Sequence, residues 1–246
     1  MIEINRKTFF IIAVATLCVL LPFFCIGKMK ENETGDNKNV CDIISLVYEE
    51  EQVTIVYPCI TGVSDQEKQS LINDLLKEEA FYELSDWLFD GNNNMQDMRL
   101  NIEYEILYKN SNYICIKFTG LANARLSVRN IFRTVSIDME SGNRMKLSDF
   151  VQVDHDFTAL VRKALQSYID NYPDWKIVYS DMLANNDEEL LRILMLADFG
   201  PNASCFSYFT EDRLGLSFET YRVAGDHYEI EMKFDEIVEC LTIKLD

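Results

Sequence analysis

From Phe9 to Ile26 the chain runs FFIIAVATLCVLLPFFCI, 18 residues without a charge. As a helix such a run reaches about 27 Å, enough for a thin hydrocarbon core. It has no polar face, so it does not read as the buried helix of a globular fold. Two fates stay open for it. It is an uncleaved anchor, or an export signal cut before Lys28, where Cys25 and Gly27 supply small residues at the −3 and −1 positions. The run exceeds an ordinary signal core, and the anchor is the leading reading. Lipidation is not indicated, because Phe24 precedes Cys25 and Leu17 precedes Cys18. Residues 1–8 then form a short cytoplasmic tail, 9–27 the anchor or signal segment, and the long C-terminal part is expected outside a cell membrane. Residues 28–40, KMKENETGDNKNV, are polar and carry Gly35, as a flexible stalk would.

Charge narrows the partners. The chain carries −18; residues 1–30 contribute +3 through Arg6, Lys7, Lys28 and Lys30 against Glu3, so the remainder carries −21. A field of that sign repels nucleic acid and favours cationic partners. Apolar residues are nonetheless 48% of the chain, enough for a core and unlike a disordered composition. Outside the apolar segment lie Cys41, Cys59, Cys115, Cys205 and Cys240, spaced by 18, 56, 90 and 35 residues. No Cys-x-x-Cys pair occurs, and His155 and His227 stand 72 residues apart. The spacing therefore points to structural thiols rather than metal ligands, with a Cys41–Cys59 disulfide left open. No cofactor is expected.

The pattern after the stalk is α+β. Ile43–Tyr48 and Val53–Tyr57 read as strands, the second ended or placed at an edge by Pro58. Ser64 with Glu67 forms a capping box before a helix with Leu71, Ile72, Leu75 and Leu76 on one stripe. Residues 90–97, DGNNNMQD, read as a loop. Leu100, Ile102, Tyr104, Ile106 and Tyr108 alternate with Asn101, Glu103, Glu105 and Leu107, and Lys109-Asn110-Ser111-Asn112 turns the chain into a partner strand, Tyr113–Thr119. Another strand runs from about Ile131 to Met139, closed by a turn at Glu140-Ser141-Gly142-Asn143. Phe157, Leu160, Val161, Ala164, Leu165 and Tyr168 mark a helix with Pro173 past its end, and Asp187–Phe199 a further one. Strands Cys205–Phe209, Leu214–Tyr221 and Tyr228–Phe234 follow, with Asp235 expected to cap a short terminal helix. The fold class is antiparallel sheets with packed helices, in two α+β parts, 41–125 and 126–246.

Several of these residues occur together in a familiar order. Tyr57-Pro58-Cys59-Ile60-Thr61-Gly62 leads into a helix carrying Asn73, and Tyr104-Glu105 lies in the next hairpin. Ser141-Gly142 then precedes Leu147-Ser148-Asp149-Phe150, and Gly215-Leu216-Ser217-Phe218 precedes Tyr221-Arg222-Val223-Ala224-Gly225. Over roughly residues 50–240 this order resembles the extracellular domain of the RsiV-type anti-sigma factors, a region shared with the peptidoglycan deacetylase PdaC. The resemblance implies a surface-exposed sensing domain that binds lysozyme directly. Residues 1–8 are too short for a sigma-binding domain and no deacetylase domain follows Asp246, so only the sensing domain is implied. A cationic protein such as lysozyme, or a cell-wall component, is the expected partner, and an acidic surface suits the former.

Catalytic residues are not expected. In Asp154-His155-Asp156 a carboxylate can orient an imidazole for base work, yet the triplet directly precedes a helix, where acidic residues cap the N-terminus. Asp226-His227 follows Gly225 as turn chemistry would. Ser204-Cys205 lacks the glycine frame of a nucleophile elbow. Tyr208, Phe209, Phe218, Tyr221 and Tyr228 read as core more than as a binding face, Tyr57-Pro58 as a strand end, and Glu49-Glu50-Glu51 as a solvated turn. The function read from the residues is a membrane-tethered binding or sensing domain. A cell-envelope polymer-modifying enzyme using Asp154, His155 or Asp226, or a structural envelope protein, are the alternatives.

Overall fold

Nine-residue edge strand β1 (Asp42–Glu50) turns at Glu51, which adopts φ 53°, into β2 (Val53–Thr61). The computed structural model describes residues 41–89, 97–124, 127–171, 186–200, 203–222 and 225–243. The tail 1–8, the apolar segment 9–27, the stalk 28–40 and Pro173 lie outside them. Among the described residues no helix is long and apolar enough to cross a membrane.

Helix α1 (Gln66–Ala80) is capped by Asp65, not by Ser64 as the capping-box pattern predicts. Asp65 accepts from the N–H groups of Glu67 and Lys68 at 3.1 and 3.0 Å. The helix begins one residue later than expected, and the short aspartate side chain reaches both orphan donors from the extended Ncap position. Helix α2 (Tyr82–Phe89) follows, then β3 (Met98–Lys109), β4 (Tyr113–Ala124), β5 (Ser127–Asp138) and the two-residue β6 (Arg144–Met145). These form a six-stranded sheet in the order β1-β2-β3-β4-β5-β6, antiparallel except between β2 and β3. The sheet thus takes strands from both sides of residues 125–126. The expected hairpin turn is present: Asn110 accepts from the N–H groups of Asn112 and Tyr113 at 2.8 and 2.7 Å.

Pro58 does not end its strand. It lies within β2, opposite Ser45 of β1. The parallel pairing with β3 covers only Val53, Thr54 and Ile55, so a residue without an N–H disturbs no ladder on that side. Farther along, Asn73 of α1 replaces the missing strand. It accepts from the Ile60 N–H at 2.7 Å and donates to the Ile60 carbonyl at 2.9 Å.

Two cores follow from the two faces of this sheet. Val53, Ile55, Leu100, Ile102, Ile116, Phe118, Val135 and Ile137 pack with Ile72 and Leu76 of α1. On the opposite face Cys115 and Phe132 join a second core. A register shift between Ile106 and Tyr108 turns β3 so that Tyr108 enters that second core, 5.0 Å from the Phe209 ring. The rest of it comes from short helix α3 (Leu147–Phe150), α4 (His155–Asn171), α5 (Asp187–Met195) and a three-stranded antiparallel sheet of β7 (Cys205–Phe209), β8 (Arg213–Glu219) and β9 (His227–Lys233). Helix α5 stops at Met195, earlier than Phe199; Leu196 caps it, and Asp198 in the turn that follows takes φ 63°. Asp235 caps nothing: it lies inside the 3-10 turn Phe234–Glu236, where the Glu236 carboxylate accepts from the Lys233 N–H at 2.9 Å. The mixed α+β class is as expected.

Two glycines allow close approaches within the sheets. Across β8, the Tyr208 ring lies over Gly215 and its hydroxyl donates to Glu229 at 2.9 Å. In β4, a Cβ on Gly120 would sit 2.0 Å from the Asn101 carbonyl oxygen. A main-chain atom of a paired strand cannot yield as a side chain can. Gly120→Ala is therefore expected to cost about 3 kcal/mol, the upper end of ordinary overpacking, read as a lower urea midpoint at unchanged slope.

Candidate functional site

A small cleft opens where α2, the start of β5 and the β8–β9 turn meet. Its volume is about 160 Å³, and it is lined among others by Tyr82, Glu83, Arg129, Asn130, Phe132, Arg133, Phe206, Ser217, Glu219, Asp226 and His227. A wider depression of about 710 Å³ runs along α4, but every residue lining it belongs to that one helix. It has no opposing wall among the described residues, and the cleft is the better enclosed of the two.

The cleft is built by main-chain need. Strand β6 pairs with β5 only at Ser136 and Ile137, which leaves the beginning of β5 short of acceptors. Asp226 supplies one. Its carboxylate accepts from the Asn130 N–H at 2.7 Å, and the Asn130 amide donates to the Gly225 carbonyl at 3.3 Å. Asp226 takes φ 70°, a left-handed geometry that aspartate tolerates better than most residues. The Thr220 N–H closes the turn on the Asp226 carbonyl at 2.8 Å.

The floor is charged and neutralised. Arg133 of β5 is 4% exposed and lies with its guanidinium 4.1 Å from the Tyr82 ring centre and 5.3 Å from that of Phe206. Its Nε donates to Glu79 of α1 at 2.5 Å, and Glu79 also pairs with Arg144 of β6. Arg129, half exposed, pairs with the buried Glu83. His227 lies 4.8 Å from the Phe132 ring, and among the described residues no hydrogen-bond partner reaches its buried Nδ1. Burial holds its pKa below the ordinary histidine value, with Glu229 and Asp226 pulling the other way. The ring is neutral at pH 7, and no carboxylate orients it through Nδ1.

The residues singled out in the sequence separate in space. Asp226 and His227 share the cleft, which neither Asp154 nor His155 lines. Asp154 precedes α4 and accepts from the Phe157 N–H at 3.0 Å, so capping accounts for it. The His155 side chain is 66% exposed. Tyr208, Phe209, Phe218 and Tyr228 are buried, as core packing requires, whereas Tyr221 is 65% exposed. Tyr57 packs edge-on against Phe81 at 5.3 Å. Ser204 precedes β7, and Cys205 is buried at its first position. Cys41, Cys115, Cys205 and Cys240 are free thiols, so Cys41 is not bridged to Cys59. Burial pushes the Cys115 thiol up to about 11, far from a reactive thiolate. Among the described residues no cluster of three or more metal-ligating side chains occurs. Arg129, Glu83 and Phe206 were not marked by the sequence, since they come from three distant segments without a local pattern.

With this geometry in view, the fold can be placed: it is of the two-sheet α+β kind found in structures of the DUF3298 family. One such structure, from Bacteroides fragilis NCTC 9343, matches with a TM-score of 0.53 at 13% identity, over 85% of this chain and 96% of the other. A DUF3298 family protein from Pseudomonas aeruginosa PAO1 matches with a TM-score of 0.53 at 11% identity, over 84% and 96%. No family model and no curated protein matches the sequence. At these identities the likeness is one of fold.

Proposed function

We propose that this chain is a membrane-tethered extracytoplasmic binding domain that recognises a ligand of the cell envelope, with a cationic protein such as lysozyme as its first candidate. The observation that carries the reading is charge: residues 31–246 hold −21 behind an apolar leader. A protein surface of one sign raises the association rate of partners of the other and selects against like-charged ones. Exposed Glu49, Glu50 and Glu103 add to that field on β1 and β3. The order of residues from Tyr57 to Gly225, which resembles the lysozyme-sensing domain, supports the same partner. Two carboxylates of the cleft have internal work: Glu83 holds Arg129, and Asp226 holds a main-chain N–H. Such engagement suits binding rather than turnover, and a wall-modifying enzyme is the weaker alternative.

Titrating the full chain in detergent with hen lysozyme tests this. Saturable heat is expected at about 0.01 M salt, where the Debye length is about 30 Å, with at least tenfold weaker binding at about 0.15 M. Absence of heat at the lower salt would remove lysozyme as the partner.

A further inference from the structure

We infer that the open edge of β1 takes an extended, cationic polypeptide segment as an added strand of the six-stranded sheet. The inference rests on reading the chain as a binding domain for cationic partners, and it names the surface and the form in which one is held.

The direction of the main-chain groups follows from β2. The Leu100 N–H donates to the Gln52 carbonyl at 3.0 Å, and Ile60 is bonded through both its N–H and its carbonyl to Asn73. The even-numbered residues of β2 thus turn their main-chain groups away from β1. The odd-numbered ones, Val53, Ile55, Tyr57, Cys59 and Thr61, meet Glu50, Tyr48, Leu46, Ile44 and Asp42. The N–H and C=O groups of Ile43, Ser45, Val47 and Glu49 are left pointing outward. The Cys41 carbonyl begins this row and accepts from the Lys109 ammonium at 2.5 Å. Beyond it, among the described residues, no donor or acceptor meets the row.

Exposed edges are commonly blunted by a bulge, a proline or a lysine. β1 has none of these: it pairs with β2 over nine residues in unbroken register and holds neither proline nor lysine. Ile44 and Val47 stand 45% and 57% exposed along it. Its charges lie at the ends, with Asp42 at one and Glu49, Glu50 and the turn residue Glu51 at the other, all exposed.

Main-chain pairing gives an added strand its affinity, and side chains select which strand is added. Apolar residues suit positions beside Ile44 and Val47, and lysine or arginine suits those beside Glu49 and Glu50. An acidic segment would set like charges opposite one another. A second copy meets the same obstacle. In the antiparallel register that pairs all nine residues, Asp42 of each copy would face Glu50 of the other, and two domains of −21 repel.

The probe is a peptide of alternating valine and threonine with lysines at both ends, added to the full chain in detergent. Binding on the order of 0.1 mM is expected at about 0.01 M salt. Hydrogen exchange should slow at the amides of Ile43, Ser45, Val47 and Glu49. It should change little at Ile44, Leu46, Tyr48 and Glu50, which already face β2. The same peptide with glutamates for lysines should not bind, and one with a central proline should bind more weakly by roughly tenfold, because it lacks a ladder N–H. Val47→Lys, at an exposed side chain, should keep the thermal midpoint and lose roughly tenfold in affinity for the lysine peptide. Glu49→Gln should lose roughly threefold.

Binding of the lysine peptide without the alternating protection would overturn the inference, since attraction to an acidic surface needs no strand. So would equal binding of the glutamate peptide, or no binding by either. It falls as well if the row is already protected in the free chain and the chain sediments as a dimer that Val47→Lys dissolves, because the edge then takes a second copy. Lysozyme heat that persists in Val47→Lys leaves the binding-domain reading standing whatever the peptides do. Peptide binding without lysozyme heat leaves the edge standing and removes only that partner.

Discussion

Replacing Glu79 with alanine is expected to remove about 3–5 kcal/mol of stability, the usual loss when one partner of a buried ion pair is deleted. Glu79 is 5% exposed and holds two guanidinium groups, those of Arg133 and Arg144, from neighbouring strands. Without it, Arg133 keeps its ring contacts with Tyr82 and Phe206 but loses the carboxylate beside its Nε, at a site where it is 4% exposed. For a domain of ordinary stability, about 5–15 kcal/mol, that is roughly a fifth or more of the total. Thermal unfolding should shift downward by roughly 10 °C. The double replacement Glu79→Leu with Arg133→Met removes both charges from the same place and should recover most of the loss. A single-variant loss under about 1 kcal/mol would mean that the ion pair is solvated and does not tie α1 to β5.

That network also explains what could be read from the sequence. β3 was legible because one of its faces is wet, so Leu100, Ile102 and Tyr104 stand out against Asn101, Glu103 and Glu105. β5 is different: residues 131–137 are buried throughout, with Ile131, Val135 and Ile137 toward one core and Phe132 toward the other. Its polar members Arg133, Thr134 and Ser136 look like a solvent face, yet each is paired in the interior. The strand itself was read, from about Ile131 to Met139; what alternation cannot show is that it has no wet side. Likewise Pro58 misled as a strand end because the short reach of the β2–β3 pairing is a matter of sheet assembly. Asp226-His227 was visible as turn chemistry, which it is. Its place in a cleft depends on Arg129, Phe206 and Glu83, which come from distant parts of the chain and follow no local spacing. Charge and the apolar leader were legible because they are sums over residues and need no geometry.

Asp198 is expected to give stability a pH dependence that a single replacement removes. It is buried at the end of α5, accepting from the Ser207 N–H at 2.8 Å, the Ser207 hydroxyl at 2.5 Å and the Leu147 N–H at 2.9 Å. Burial raises its carboxyl from 3.8 to about 6, against the hydrogen bonds to Ser207, the Arg144 charge and the Leu147 N–H. A carboxyl raised on folding binds its proton more tightly in the native state than in the unfolded one. Stability from this group is therefore full below pH 3.8 and falls as pH rises through 6. A rise from 3.8 to about 6 corresponds to about 3 kcal/mol, or roughly a hundredfold in the folding equilibrium. Asparagine cannot titrate, so the stability difference between the parent and Asp198→Asn should change by about that amount between acid and neutral pH. Urea melts across that range measure it, and a carboxyl carbon signal titrating near pH 6 would locate the proton directly. Parallel curves for parent and variant would show that water reaches the carboxylate, and that the joint between α5, α3 and β7 is wet rather than closed.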